Sequence, residues 1–119
     1  MKLVFVCAAG RFRSKKAAEL FSKDHETSYF GMSKYVDCWK YGHEMRDYTI
    51  KHLEKTIDEA DLVFVMESWM KEMIEMMLKH SFEKIIVLGI EDHYVLDEKM
   101  PELEKILMEK ITPYLTGCS

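Results

Sequence analysis

Four short β-prone runs, separated by segments of helical pattern, constrain the fold of this chain most. The runs are KLVFV at 2–6, TSYFGM at 27–32, DLVFVM at 61–66 and KIIVLGI at 84–90. Continuous apolar runs of this length are typical of strands that are buried on both faces of a sheet. Because strands that alternate with helices form right-handed crossovers, the pattern predicts an α/β fold with four parallel strands and helices on both faces.

The segments between these runs carry apolar residues at helical spacing. The first helix places Ala17, Ala18 and Phe21 on one face. The remaining predictions are an aromatic-rich loop from the second strand to Gly42, a helix over 44–57 with Tyr48, His52 and Leu53 or Ile57 turned inward, a methionine-rich core helix over 68–80, and a last helix from about Pro101 to about Tyr114.

The size and composition of the chain predict one soluble domain over residues 1–119. The sequence is 48% hydrophobic and 32% charged, which is ordinary for a globular protein. It contains no apolar run of about 18 residues, and its amino terminus lacks the pattern of a secretory signal. A net charge of −4 argues against a nucleic-acid or acidic-membrane partner, which requires a broad basic surface. We therefore expect a cytoplasmic protein.

The cysteines and histidines give no sign of a metal site. Cys7, Cys38 and Cys118 are irregularly spaced, so neither a disulfide framework nor a zinc motif is predicted. The five histidines also lack the spacing of metal ligands. We expect no metal and no cofactor.

The loop after the first strand carries the most informative motif. Cys7 and Arg13 form the pattern C-x5-R, which Ser14 follows, and the residues between them include Ala8, Ala9 and Gly10. Small residues allow backbone N–H groups to turn inward, and the first turn of the next helix adds further free donors. In parallel sheets, ligands bind beyond the carboxyl ends of the strands. The loop is therefore predicted to bind an anion such as phosphate.

The side chains at this loop suggest covalent chemistry. Arg13 offers a planar fork that can hold two phosphate oxygens, and Arg11, Lys15 and Lys16 add positive charge. These groups favour the thiolate of Cys7, and a thiolate that faces a bound phosphorus atom is a nucleophile. A lone cysteine or arginine in this position is more often structural. The conjunction of strand, C-x5-R-S, glycine and helix is much rarer, and it favours a catalytic site.

Three stretches resemble the low-molecular-weight protein tyrosine phosphatase family, and particularly its small prokaryotic branch. VFVCAAGRFRSKKAAELF at 4–21 resembles the family's phosphate-binding loop, EADLVFVMES at 59–68 its third strand, and VLGIEDHYVLDEKMPELEKIL at 87–107 its acid loop and final helix. The resemblance implies a flavodoxin-like fold of four parallel strands. It also implies hydrolysis of a phosphotyrosine protein or a small aryl phosphate.

The resemblance also implies a role for individual residues. Cys7 would be the nucleophile, Arg13 the phosphoryl clamp, Ser14 a donor to the thiolate and Asp92 the general acid. Gly10 would occupy the left-handed position of the loop. The other residues expected at the substrate are Ala8, Ala9, Arg11, Phe12, Trp39 and Tyr94. The chain departs from the family pattern at Phe12, where many members have a second cysteine, and at Lys15 and His93, where they have proline.

The sequence leaves several assignments open. Asp97 competes with Asp92 for the role of general acid, because both lie in one loop. Cys38, beside Trp39, is the thiol expected nearest the cleft, and whether it resolves an oxidised Cys7 stays open. Tyr35 and Tyr41 could wall the cleft together with Trp39, or the three side chains could form a local hydrophobic cap. An arsenate reductase, a phosphocysteine carrier or an inactive phosphate-binding module would also use such a loop.

Overall fold

The computed structural model describes residues 1–8, 13–40, 42–90 and 100–116, with the backbone alone for 38–40, 43, 45, 100 and 116. Its sheet has the strand order β2-β1-β3-β4, and every neighbouring pair is parallel. The strands are β1 (Lys2–Cys7), β2 (Glu26–Gly31), β3 (Leu62–Val65) and β4 (Ile85–Val87). The four-stranded parallel sheet predicted from the sequence is confirmed.

Five helices connect and follow these strands in the described part of the chain. They are α1 (Arg13–Phe21), α2 (Met32–Lys40), α3 (His43–Glu59), α4 (Ser68–Leu78) and α5 (Met100–Thr116). Helix α1 packs against α5, whereas α3 packs against α2 and α4. The crossovers from β1 to β2 and from β2 to β3 run in opposite directions across the sheet, so right-handed connections place their helices on opposite faces.

The apolar strand residues form the core between the two helical layers. Phe5 and Phe64 are fully buried and stack with their ring centroids 5.5 Å apart. Tyr114 of α5 meets the Phe64 ring edge-on at 5.8 Å. On α1, the small residues Ala17 and Ala18 are buried, as their spacing predicted. Small side chains at this point let the helix lie close to the sheet, and the start of α1 is thereby fixed relative to β1.

The prediction of a loop between the second strand and Gly42 is wrong, because residues 32–40 form helix α2. Met32 and Tyr35 are buried at helical spacing, and Val36 packs partly against the core. The Tyr35 hydroxyl lies 2.6 Å from Nδ1 of His52 on α3. Tyr35 therefore joins two helices and does not wall the cleft. Aromatic content alone had favoured a loop, although the i, i+3, i+4 spacing of these residues indicates a helix.

The helix predicted over 44–57 is confirmed as α3, but the prediction of its inward face was only partly correct. Leu53 and Ile57 are fully buried, and Thr49 is buried beside them. Tyr48 is 48% exposed, and His52 is also exposed, so their predicted inward orientation is wrong. The Tyr48 and His52 rings instead stack on each other at the helix surface, with centroids 5.7 Å apart.

The methionine-rich segment and the carboxy-terminal segment form the helices that the sequence predicted. Met66, Met70 and Met77 are buried in the core, while Met76 is exposed. Pro113 lies inside α5, one turn before its end. Among the residues that the structure describes, no helix is both long enough and apolar enough to cross a lipid bilayer.

Candidate active site

Cys7 is the last residue of β1 and lies at the carboxyl edge of the sheet. Its side chain is buried, and its Sγ atom lies 3.0 Å from Oγ of Ser14 in the first turn of α1. Ser14 is itself fully buried. The strand and the helix therefore bring together the two ends of the motif, and the hydroxyl can donate a hydrogen bond to a thiolate at this position.

Arg13 begins α1 and is only 2% exposed, which is unusual for an arginine. Its Nη1 atom donates to Oε2 of Glu67 at 3.0 Å and to the carbonyl oxygen of Ile90 at 2.6 Å. These contacts connect the beginning of α1 to the ends of β3 and β4. The guanidinium of the predicted clamp is thus held at the carboxyl edge of the sheet, where Cys7 ends its strand.

The predicted phosphate-binding loop is described only at its two ends. Ala8 is half-buried, and its carbonyl oxygen accepts a hydrogen bond of 2.9 Å from the backbone N–H of Ser33 in α2. This bond fixes the first residue of the loop to the first turn of a neighbouring helix. The predicted loop residues Ala9, Gly10, Arg11 and Phe12 lie outside the described residues, as does the side chain of Trp39.

The segment that leads into the predicted acid loop is fixed by three contacts. Leu88 N–H donates to Val65 at 2.9 Å, and Ile90 N–H donates to Met66 at 2.7 Å, so pairing with the end of β3 continues beyond β4. Lys110 of α5 donates to the Leu88 carbonyl at 2.8 Å. Gly89 between them has φ of 70°, a left-handed conformation that glycine adopts without strain. Asp92, Tyr94 and Asp97 follow this segment and lie outside the described residues.

The basic residues near the loop have different surroundings. Lys16 lies 2.8 Å from Oε1 of Glu104 on α5 and 3.8 Å from Oε2 of Glu19. The hydrogen bond to Glu104 raises the pKa of Lys16 above its usual value. Lys15 is exposed. Lys16 therefore forms ion pairs, one of which joins α1 to α5, and these pairs offset the positive charge that it was expected to add to the predicted loop.

Two contacts of the site were missed by the sequence analysis. The Glu67 carboxylate and the Ile90 carbonyl, both of which accept from Arg13, were not singled out. One signal for Glu67 was present, since it is a carboxylate two residues after the third strand, at the same sheet edge as the C-x5-R loop. No sequence signal identifies a backbone carbonyl such as that of Ile90 as the acceptor for a given arginine.

No group of three or more metal-binding side chains occurs within the described ranges 1–8, 13–40, 42–90 and 100–116. The Ser14 hydroxyl lies 3.0 Å from Cys7 Sγ, and the Arg13 guanidinium is held at the same edge of the sheet by Glu67 and Ile90. A hydroxyl and a guanidinium suit an oxyanion, because both can donate hydrogen bonds to its oxygens.

Solved structures of bacterial phosphatases share this fold. A low molecular weight protein tyrosine phosphatase from Bacillus subtilis superposes with a TM-score of 0.65 at 18% identity, over 99% of each chain. One from Streptococcus pyogenes gives 0.67 at 15% identity, over 99% of this chain and 93% of that chain. A variant of the YwlE arginine phosphatase with a phosphorylated active-site serine gives 0.64 at 19% identity, over 99% of this chain and 97% of that chain.

Comparison by sequence gives a different result. No protein-family model and no curated protein matches the chain. The chain nevertheless has the low molecular weight protein tyrosine phosphatase fold, as its sequence motifs predicted.

Proposed function

We propose that this protein is a cysteine-dependent phosphatase that hydrolyses aryl phosphates, with phosphotyrosine in proteins as the substrate class. One observation supports this proposal most strongly. A buried cysteine lies at the carboxyl end of a central strand with a serine hydroxyl 3.0 Å from its sulfur, and a buried arginine precedes that serine. Buried arginines are rare in proteins, and a guanidinium held at the carboxyl edge of a parallel sheet can bind two phosphoryl oxygens.

The proposed reaction has two steps. The Cys7 thiolate attacks the phosphorus atom, so an S–P bond forms while the P–O bond to the leaving group breaks. Asp92 gives its proton to the leaving phenolate, and Arg13 holds two of the phosphoryl oxygens. Water then attacks phosphorus, the S–P bond breaks, and Cys7 returns as a thiolate with release of inorganic phosphate. Asp92, now a carboxylate, accepts a proton from that water.

The comparisons support a phosphorylated nucleophile. The YwlE variant carries a phosphoryl group on its active-site serine, which indicates that a residue in that protein's active site can accept the group. Since this chain shares the fold over nearly its whole length, we assign the corresponding role to Cys7. The identity between the chains is only 19%, so the assignment depends on the local geometry around Cys7 and not on overall similarity.

Phosphoarginine is a second candidate substrate class. Structures of arginine phosphatases and of tyrosine phosphatases superpose on this chain with similar TM-scores, from 0.60 to 0.67. The two substrates differ in the bond that breaks, P–N in one and P–O in the other. Initial rates on phosphoarginine and phosphotyrosine peptides of the same sequence decide between them. We expect the larger kcat/KM on phosphotyrosine.

An arsenate reductase, a phosphocysteine carrier and an inactive binding module are distinguished by their products. The reductase would need two further thiols, yet Cys118 and the side chain of Cys38 lie outside the described residues. The module or the carrier would bind phosphate without releasing it catalytically. Multiple turnovers of an aryl phosphate exclude the module and the carrier, and arsenate consumption in the presence of a thiol donor would favour the reductase.

Steady-state hydrolysis of an aryl phosphate tests the proposed activity. Turnover should be unchanged by a chelator, and inorganic phosphate or vanadate should inhibit competitively. Cys7→Ser should abolish turnover while it leaves phosphate binding in place, because an unactivated hydroxyl is a poor nucleophile at neutral pH. Cys118→Ser provides the same substitution as a control. Residual activity of Cys7→Ser within tenfold of the wild type would contradict the mechanism.

A further inference from the structure

Glu67 stands at the start of α4, but its side chain does not cap that helix. It occupies the N-cap position with an extended backbone, and it makes no side-chain hydrogen bond to the helix N–H groups. Serine, threonine, aspartate and asparagine are the residues that usually serve there. The Glu67 carboxylate instead accepts from Nη1 of Arg13 at 3.0 Å. The local needs of α4 therefore do not account for a glutamate at this position.

The two acceptors of Arg13 Nη1 belong to one hydrogen-bonded unit. Glu67 follows Met66, and the Met66 carbonyl accepts from the N–H of Ile90 at 2.7 Å. The Ile90 carbonyl in turn accepts from Arg13 at 2.6 Å. The hydrogen-bonded ends of β3 and β4 thus hold the backbone of the residue that carries the carboxylate beside the backbone acceptor, the Ile90 carbonyl. Hydrogen bonds to both acceptors therefore define the position of Nη1 and the plane of the guanidinium.

The orientation of that plane matters for the proposed reaction. A guanidinium binds two phosphoryl oxygens side by side only when its fork lies in the plane of those oxygens. The arginine side chain is long and has several rotatable bonds, so acceptors on Nη1 reduce the conformations that must be lost on substrate binding. Small displacements of groups that position a substrate can lower rates by about 100-fold.

We propose that Glu67 is a positioning residue, which orients the guanidinium of Arg13 for phosphoryl binding without touching the substrate. The inference rests on the proposed phosphatase function and adds a residue to it. The inference predicts that removal of the Glu67 acceptor oxygens weakens phosphate binding, whereas a simple charge effect predicts that it strengthens it. A carboxylate near an anion site repels the anion, so if Glu67 acted by charge alone, its removal would strengthen phosphate binding.

Three substitutions separate orientation from charge. Glu67→Gln removes the charge but keeps an acceptor oxygen, and it should keep kcat/KM and the inhibition constant for inorganic phosphate within about threefold of the wild type. Glu67→Leu and Glu67→Ala both remove the acceptor, and the larger leucine side chain also keeps water from replacing it. Both should lower kcat/KM on an aryl phosphate by about 10- to 100-fold and weaken phosphate inhibition by at least about fivefold. Assays are run well below the midpoint of thermal unfolding of each variant.

The matched control is Glu72 on the same helix, which is exposed. Glu72→Gln and Glu72→Leu make the same chemical changes away from the site and should leave both constants within twofold of the wild type. The proposal is overturned if Glu67→Gln loses as much activity as Glu67→Leu, or if Glu67→Leu binds phosphate more tightly than the wild type does.

A double-mutant cycle tests whether Glu67 acts through Arg13. Arg13→Lys replaces the planar fork with a point charge, so no plane remains for Glu67 to orient. In that background, Glu67→Leu should weaken phosphate inhibition, or phosphate binding measured directly, by less than about twofold. An equal loss in both backgrounds would show a general structural role and would overturn the proposal.

The same measurements distinguish this inference from the proposed function. If the wild type binds inorganic phosphate but does not hydrolyse aryl phosphates, the proposed activity is wrong, and the phosphate affinities of the Glu67 and Arg13 variants still decide the role of Glu67. If the wild type neither binds phosphate nor turns over, both proposals are wrong.

Discussion

Ser14 Oγ lies 3.0 Å from Cys7 Sγ, and both side chains are buried between the end of β1 and the start of α1. The two residues belong to elements that pack directly against each other, so their separation is set by the core and not by the loop between them. A hydroxyl that donates to a thiolate stabilises the charged form of the sulfur. The core thus positions the proposed nucleophile beside its hydrogen-bond partner.

The first prediction follows from this contact. Ser14→Ala removes the hydroxyl, so we expect slower alkylation of Cys7 by iodoacetate at slightly acidic pH and a decrease in kcat of roughly tenfold, the order of one charge-assisted hydrogen bond. Ser22→Ala, just after the same helix, removes a hydroxyl that donates to the Glu19 carbonyl at 2.9 Å and serves as the control. Equal alkylation rates in Ser14→Ala and the wild type would show that the hydroxyl does not stabilise the thiolate.

The proposed general acid, Asp92, gives a prediction that depends on the leaving group. Asp92→Asn should lower kcat by roughly 10²- to 10⁴-fold for an aryl phosphate whose phenolate needs a proton. The loss should shrink for a leaving group that needs none. Asp97→Asn, five residues further along the chain, is the matched comparison. If Asp97→Asn shows this dependence and Asp92→Asn does not, then Asp97 is the acid.

Oxidation tests whether Cys7 has a resolving partner. A reactive thiolate in an anion site gives a sulfenic acid with peroxide, and a second thiol can trap it as a disulfide. Phe12 stands where many members of the phosphatase family that the sequence resembles have a cysteine. We expect peroxide to inactivate the enzyme without a disulfide inside the loop, and reductant to restore activity only in part after long exposure. Mass spectrometry that found a clean Cys7–Cys38 bridge, fully reversed by dithiothreitol, would make Cys38 the resolving thiol.

The aromatic pair in the core predicts a large effect on stability. Phe64→Ala removes a fully buried ring that contacts both Phe5 and Tyr114, and it should lower the free energy of unfolding by about 3–5 kcal/mol. Tyr29→Ala on the neighbouring sheet surface removes a ring that is 44% exposed and should cost less than about 1 kcal/mol. Denaturant unfolding at 25 °C measures both. Comparable losses in the two variants would contradict the assigned packing of Phe64.

The sequence predicted most of the fold because its signal is periodic and local. Continuous apolar runs identified β1, β3 and β4, and the small residues Ala17 and Ala18 identified the face of α1 that packs on the sheet. Helix α2 was missed because aromatic content was given more weight than the spacing of Met32 and Tyr35. The predicted orientation of Tyr48 was also wrong. Leu53 and Ile57 already fill the inward face of α3, so Tyr48 lies at the helix surface.

The candidate site was predictable only where one local motif contains it. Cys7, Arg13 and Ser14 lie within eight residues of sequence, and the structure places the end of β1 against the start of α1 as that motif requires. Glu67 and Ile90 reach Arg13 from 54 and 77 residues away, so their contribution depends on the strand order β1-β3-β4. Sequence periodicity predicts the strands but not which side chain crosses between them.

The most direct test of the mechanism is the location of the phosphoryl group during turnover. A leaving group that needs no proton speeds formation of the S–P bond. Hydrolysis of the phosphocysteine intermediate then becomes the slower step, and this intermediate accumulates. The enzyme is mixed with such an aryl phosphate, denatured rapidly at neutral pH, digested with trypsin and analysed by mass spectrometry. The peptide spanning residues 3–11 contains Cys7 and no hydroxyl, imidazole or carboxylate side chain. We predict a phosphoryl group on this peptide in the wild type and none in Cys7→Ala, whereas a phosphoryl group on any other peptide, or turnover by Cys7→Ala, would contradict a phosphocysteine mechanism.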